Sequence, residues 1–243
     1  LQLLLLGRKL RELLKTVRWV IVDEIHEVAG SRRGSQLSIL LEKLKRISLF
    51  SVQLIGLSAT VGNPREVASF LVGSTGECEV VYVPVAKQID IDIVFPKPSS
   101  QDNLFLDVGL YPDIVAKLRV IYQYASKYRS SLLFTNTRSM SELLTSRFRL
   151  WRPEFPVFVH HGSLSFSTRS GVEEMLREGK ARLVIATSSM ELGIDVGHLD
   201  LVLQYNSPRQ VTRLIQRVGR SGHRIGGVSR GIVIVSNSDD ALE

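Results

Sequence analysis

Two adjacent carboxylates, Asp23 and Glu24, follow the apolar run at 19–22 within the stretch VIVDEIHE at 20–27. An unbroken apolar run of this kind reads as a buried parallel strand, and ligands of open α/β sheets bind at the carboxyl ends of strands. Paired acids there suit a metal-dependent phosphoryl site. One of them could hold Mg²⁺ through water, while the other orients or deprotonates an attacking water. Solvated acids on a strand-end turn are the plainer reading, and His26, two residues past Glu24, weighs against it. The small hydroxyl residues of GLSAT at 56–60 end the next apolar run. In IATSSMELGID at 185–195, Thr187, Ser188 and Ser189 offer hydroxyl and amide donors of the kind that bind phosphate. Gly193 in the same stretch permits close backbone approach. QRVGRSGHR at 216–224 sets three arginines and two glycines in nine residues. Guanidinium forks bind phosphate bidentately, and an inserted arginine stabilises charge on a transferring phosphoryl group.

The elements that must position these residues are legible as alternating strands and helices. Apolar residues at helical spacing run over 3–14, 36–47 and 64–71, and apolar runs at 52–59 and 80–83 read as strands. Residues 89–94 alternate Ile or Val with Asp90 and Asp92, as a half-exposed strand does. FPKPSSQDN at 95–103 then breaks the pattern with two prolines and small polar residues, the composition of a linker. Beyond it, strands at 132–135, 157–160, 183–186, 199–205 and 232–235 alternate with helices at 113–128, 139–150, 168–178 and 210–218. Repeated β–α units imply mostly parallel sheets with helices on both faces. The expected organisation is a partial α/β domain over 1–95, a linker over 96–109 and a complete domain over 110–243. Residues from about 104 onward are expected to fold as a unit.

The 243 residues are 44% hydrophobic and 23% charged, the balance of a globular protein. The Leu-rich start is too short to cross a bilayer, and no other stretch reaches that length, so no membrane association is expected. Cys78 is the sole cysteine, which excludes a disulfide framework or a cysteine zinc site. A reducing, cytoplasmic setting is expected. A formal net charge of +7 points to an anionic partner.

DEIH, SAT, FTNTR, HHGS, ATSSMELGID and QRVGRSGHR occur in the order of motifs II, III, IV, IVa, V and VI of superfamily 2 helicases. Their wording most resembles the large helicase-related (Lhr) group. The resemblance covers nearly the whole chain, and the six motifs are specific together though not singly. It implies two RecA-like domains, ATP and Mg²⁺ as cofactors, and single-stranded or partly duplex nucleic acid as partner, DNA rather than RNA. A monomer associated with the nucleoid is expected. By the same resemblance Asp23 binds Mg²⁺ and Glu24 is the catalytic base. His26, Ser58, Ala59 and Thr60 couple the nucleotide to the nucleic-acid track. Gly193, Asp195, Arg217 and Arg224 lie at the nucleotide, and Gln216 and Arg220 meet the γ-phosphate. Asn136, Thr137, Arg138, Gly162, Ser163, Thr187 and Ser188 face the nucleic-acid backbone.

GRSGHR departs from the common GRxGR ending, which leaves His223 and Arg224 as alternatives for the last motif VI position. No G-x-x-x-x-G-K-[ST] phosphate loop occurs in the chain. The family places that loop upstream of DEIH, so residue 1 is expected to fall inside the first RecA domain, in a fragment inactive alone. The competing reading is a nucleic-acid-binding module without turnover. A metal-dependent nuclease is disfavoured, because further carboxylates do not recur at strand ends apart from Asp195.

Overall fold

The computed structural model describes residues 1–58, 63–73, 76–82, 88–191, 199–222 and 228–242. The chain divides into two units, Leu1–Pro84 and Val85–Glu243.

The first unit runs α1 (Gln2–Leu6), α2 (Arg8–Leu14), β1 (Trp19–Val22), α3 (Ile25–Val28), α4 (Arg32–Ile47), β2 (Gln53–Gly56) and α5 (Pro64–Val72). The helix expected over 3–14 is two helices. Gly7 interrupts it with an extended backbone, φ −79° and ψ 121°, and glycine in a helix interior is destabilising relative to alanine. Helix α4 starts where the Ser31 hydroxyl accepts the Gly34 amide at 3.1 Å. Gly34 has no room for a side chain, since a Cβ there would lie 2.1 Å from the Val28 carbonyl oxygen. Strands β1 and β2 are parallel, with Trp19 opposite Gln53 and Val22 opposite Gly56. Ile25, Leu41 and Leu71 form the buried core, with Val20, Val22 and Leu54 packed against them. The strand expected at 80–83 is not formed at Val80, Val81 and Tyr82, which are exposed. Val83 lies outside the described residues.

The second unit contains β3 (Ile89–Val94), a 3₁₀ helix (Ser100–Val108), α6 (Pro112–Ala125), β4 (Ser131–Phe134), α7 (Arg138–Trp151), β5 (Val157–His160) and α8 (Phe166–Glu178). It continues through β6 (Leu183–Ala186), a 3₁₀ turn (Ser188–Met190), β7 (Leu201–Tyr205), α9 (Val211–Val218), β8 (Ser229–Ile234) and α10 (Ser238–Leu242). The strands form one sheet in the order β3-β8-β7-β4-β6-β5, and each pairing is parallel. Successive strand residues point to opposite faces, which builds two cores. Leu133, Ile185 and Leu203 pack with Leu118, Ile121, Leu144 and Phe148 of α6 and α7. Leu132, Phe134, Val184 and Val202 pack with Val172, Leu176 and Val218 of α8 and α9. Parallel sheets covered by helices on both faces agree with the expected fold class.

Two boundaries differ from expectation. Residues 89–94, assigned to the first domain, are the edge strand of the second unit's sheet, paired with β8 from Ile89–Ser229 to Val94–Ile234. Ile89 and Ile91 pack against one core and Val94 against the other. The alternation was legible, but the choice of sheet was not. The stretch 96–109 is not a plain linker either. Its 3₁₀ helix is tied to α6 through Asp102, whose side chain is 3% exposed. Asp102 accepts from Arg119 Nε at 3.2 Å and Nη2 at 3.0 Å, and from the Ser99 amide at 2.7 Å. Phe105 meets Trp151 edge-on at 6.3 Å.

Burial pushes the Asp102 carboxyl up, but the hydrogen bonds from Arg119 and Ser99, with the Arg119 charge, outweigh it and hold its pKa below the ordinary aspartate value. A pKa lowered on folding contributes stability that is present above the unfolded value near 4 and is lost as pH falls through the folded value. Asp102→Asn is therefore expected to cost about 2 kcal/mol at neutral pH, between an ordinary charged hydrogen bond and a fully buried pair. The difference from the parent should shrink towards pH 3 in urea titrations. A constant difference across that range would show the ion pair to be immaterial.

Because β3 completes the sheet, an 88–243 polypeptide is expected to unfold cooperatively, with a higher midpoint than one beginning at 96, which keeps Asp102 but lacks β3. Removing β3 exposes the edge of β8 and the packing of Ile89 and Ile91. Equal thermal midpoints would show that β3 adds nothing to the sheet.

Candidate functional site

Asp23 and Glu24 leave the carboxyl end of β1, as the strand reading required. Asp23 is exposed, and its Oδ1 accepts the Glu24 amide at 2.9 Å. Glu24 has left-handed backbone angles, φ 48° and ψ 43°. A non-glycine residue in that region stores strain, and such residues cluster at functional sites. The turn is held on both sides: the Leu57 amide donates to the Val22 carbonyl at 2.9 Å, and the Ile25 amide donates to the Leu57 carbonyl at 3.0 Å. The segment after β2 is thus stitched to the segment after β1. His26 is brought to Ser58 by this stitching, with Nδ1 3.0 Å from Ser58 Oγ. The same nitrogen lies 3.6 Å from Glu24 Oε2, and Nε2 lies 3.6 Å from Glu27 Oε1. Of the expected coupling residues, Ala59 and Thr60 lie outside the described residues.

In the second unit, β4, β6 and β5 are neighbours, with Phe134 opposite Ala186 and Ala186 opposite His160. The loops that follow them therefore emerge at one edge of the sheet. These loops carry Asn136, Thr137 and Arg138, then Thr187 and Ser188, then Gly162 and Ser163, so seven residues spread over about fifty positions of sequence are gathered at one edge. Asn136, Thr137, Arg138, Gly162, Ser163 and Ser188 are exposed, and Thr187 is half-buried. Nothing lies within 4 Å of where a Gly162 Cβ would stand, so the backbone there is open to approach. Thr137 caps α7, its hydroxyl accepting the Met140 amide at 3.2 Å. Asn136 uses its amide within the protein, with Nδ2 donating to the Ser207 carbonyl at 2.8 Å.

Sequence reasoning missed the pair that laces these loops together. His160 is fully buried at the end of β5, with Nδ1 2.9 Å from Ser189 Oγ and Nε2 2.9 Å from Glu173 Oε1 of α8. His161, also buried, reaches Glu142 Oε1 of α7 at 2.7 Å. The Thr187 amide donates to the His160 carbonyl at 3.2 Å. HHGS was visible as a motif, but the partners Glu142, Glu173 and Ser189 stand too far along the chain for spacing to reveal them.

Motif VI divides by environment. Gln216 and Arg220 are half-buried on the last turn of α9 and just past it. Arg220 Nη2 donates to the Glu191 carbonyl oxygen. Arg217, expected at the nucleotide, is instead 2% exposed and turned into the second unit. Its Nε donates to Glu191 Oε1 at 2.6 Å, Nη2 donates to the same oxygen, and Nη1 donates to Gln204 Oε1 at 2.5 Å. The guanidinium lies 4.9 Å from the Phe134 ring centroid. Burial lowers the Arg217 pKa, and Glu191 opposes that shift. A helix presents successive residues about 100° apart, so Gln216 and Arg217 cannot share an environment. Gly222 has φ 68°, and a Cβ there would lie 2.6 Å from the Val228 carbonyl oxygen, so glycine is required in the GRSG turn. Gly193, Asp195, His223 and Arg224 lie outside the described residues.

Asp23 and Glu24 supply hard oxygen ligands, and no group of three or more potential metal ligands occurs among the described residues. That donor set fits Mg²⁺, which is bound through one or two carboxylates with water and substrate phosphates completing its shell. No helix among the described residues is long and apolar enough to cross a membrane.

Two family models match the chain: DEAD/DEAH box helicase over residues 1–67 and helicase conserved C-terminal domain over residues 114–226. The chain is 40% identical over 250 residues to the ATP-dependent helicase Lhr-Core of Sulfolobus acidocaldarius, covering 98% of this chain and 28% of that protein. It is 41% identical over 253 residues to the Lhr-Core of Methanothermobacter thermautotrophicus, covering 100% of this chain and 28% of the relative. The chain thus spans little more than a quarter of these relatives' length. The structure of Mycobacterium smegmatis helicase Lhr bound to ssDNA and AMP-PNP superposes with a TM-score of 0.84 at 39% identity, covering 98% of this chain and 31% of that one. Dbp5 of S. cerevisiae bound to RNA and ADP BeF3, at 22% identity and a TM-score of 0.68, shares the fold over 99% of this chain and 59% of its own. In its motif order, its two helicase domain matches and its RecA-like fold, the chain belongs to the superfamily 2 helicases of the large helicase-related group.

Proposed function

We propose that the chain forms part of an ATP-driven motor that translocates on single-stranded nucleic acid and separates strands. The observation that carries this reading is the carboxylate pair at the end of β1, with Glu24 held left-handed and stitched through Leu57 to the His26–Ser58 contact. Asp23 would hold Mg²⁺, and Glu24 would take the proton of the attacking water. MgATP supplies the phosphoryl group and its leaving group when bound. Arg220 would stabilise charge on the transferring phosphoryl group, with Gln216 beside it. His26 and Ser58 connect the β1 end to the β2 end, which suits them to report nucleotide state along the first unit.

The loops after β4, β6 and β5 would hold the nucleic-acid backbone through Arg138, Thr137, Ser163, Thr187 and Ser188. Such contacts give affinity and register rather than sequence choice. DNA is favoured over RNA because the Mycobacterium smegmatis relative was captured on ssDNA. The active form is proposed to be a monomer associated with the nucleoid.

With no phosphate-loop motif in its sequence, the 243-residue chain by itself is proposed to bind single strands weakly and turn over no ATP. Fluorescence anisotropy with a labelled single strand should give a micromolar or weaker Kd that weakens as salt rises. A phosphate-release assay on the same sample should stay at background. Salt-independent binding would sink the nucleic-acid reading, and turnover removed by Glu24→Gln would sink the inactivity of the isolated chain.

A further inference from the structure

The segment joining β7 to α9 contains two non-glycine residues at positive φ, Asn206 at 59° and Arg209 at 63°. Asparagine tolerates this region because its short side chain bonds locally. Here Asn206 Oδ1 accepts the Ser236 hydroxyl at 2.6 Å, and its amide donates to the Ile234 carbonyl at 2.9 Å. Arginine has no such local compensation. Arg209 is exposed, and its guanidinium makes no hydrogen bond or ion pair among the described residues. Its backbone is nonetheless pinned. The Arg209 amide donates to Ser207 Oγ at 2.9 Å, Ser207 is buried, and the Ser207 carbonyl accepts Asn136 Nδ2 at 2.8 Å. Glycine would occupy this backbone at lower cost, so packing does not explain the arginine. Backbone strain kept at a charged surface residue points to a use for its side chain.

The position of the bend suggests that use. Strand β7 pairs with β4, Phe134 opposite Gln204, so the 206–209 bend leaves the same sheet edge as Asn136, Thr137 and Arg138. The hydrogen bond from Asn136 Nδ2 to the Ser207 carbonyl joins the two loops.

We propose that Arg209 is a further phosphate-contacting residue of the single-stranded DNA track, and that Asn136 is the positioning residue that holds its loop. The assignment rests on the nucleic-acid reading given above. It supplies a cation on the β7 side of the loops, where the expected contacts beside β4, β6 and β5 include Arg138 as the one cationic side chain.

The test uses the full chain, a fluorescein-labelled oligothymidylate and a series of NaCl concentrations. Arg209→Gly should weaken binding several-fold and reduce the magnitude of the log K against log salt slope by about 0.7, the contribution of one phosphate on a single strand. Its thermal midpoint should hold or rise by about 2 °C as strain is relieved. Arg209→Lys should keep the parent slope. Asn136→Ala should weaken binding alone and add little to Arg209→Gly. A parent that binds with the usual salt dependence beside an Arg209→Gly variant with the same slope would overturn the proposal while leaving the nucleic-acid reading intact. A midpoint that falls together with binding would overturn it too, since Arg209 would then be a structural residue. A parent with no salt-dependent binding would refute the nucleic-acid reading itself, and this assignment with it.

Discussion

Glu24→Gln in the full-length protein is expected to lower ATP turnover by roughly 10²- to 10⁴-fold, the range for loss of a general base. Glutamine keeps the size of the side chain and removes the group that takes the proton. The Glu24 backbone is fixed by the turn between β1 and α3, with the Asp23 carboxylate on its amide and the Leu57 carbonyl on the next. The substitution leaves that scaffold untouched, so nucleotide affinity should change little. Steady-state phosphate release and equilibrium binding of a fluorescent nucleotide separate the two effects. Turnover within a few-fold of the parent would remove Glu24 from the mechanism, and lost nucleotide affinity would recast it as a binding residue.

Arg217→Ala is expected to destabilise the second unit by about 3–5 kcal/mol, the cost of leaving a buried charge without its partner. Glu191 would keep its carboxylate in a site only 11% exposed, with Arg213 Nε 4.0 Å away and the Arg220 guanidinium on its carbonyl oxygen. Gln204 Oε1 would lose its donor, and the Phe134 ring its guanidinium. Replacing both Arg217 and Glu191 by methionine should recover much of the loss, because the desolvation of two charges disappears with them. Arg220→Ala makes the contrast. It should cost the second unit far less stability than Arg217→Ala, since the Arg220 hydrogen bond to the Glu191 carbonyl leaves no buried carboxylate unpaired, yet lower turnover of the full-length protein by roughly 10³-fold, the scale of a lost arginine finger. Chemical denaturation of the chain and ATPase assays of the longer protein read the two residues separately. If Arg217→Ala were as stable as the parent, the buried network would not hold α9 to the sheet. If Arg220→Ala kept normal turnover, the arginine-finger assignment would fail.

Local chemistry made much of this protein legible. Apolar runs ending in DE, GLSA and ATSS announce strands whose carboxyl ends carry function, because a buried parallel strand must be apolar throughout and can turn polar only where it leaves the sheet. The six motifs in order pointed to the family, since together they are long and specific.

What a residue faces was another matter. Arg217 and Arg220 sit three apart in one motif and read alike as phosphate binders, but α9 ends at Val218, and the Glu191 carboxylate holds only the arginine still on the helix in the core. Strand 89–94 alternates as a half-exposed strand should, yet only the pairing partner β8 assigns it to the second sheet. Asp102 read as part of a polar linker until Arg119 closed on it from seventeen residues away. HHGS was visible as a motif, but the partners of His160 and His161 were not, because they arrive from other strands and helices. The sequence by itself determined the strands, the turns and the chemistry at their ends, because those depend on neighbours along the chain. Tertiary structure alone decided which charges are buried, which strand joins which sheet and which loops share an edge, because those depend on contacts between residues that sequence separation does not encode.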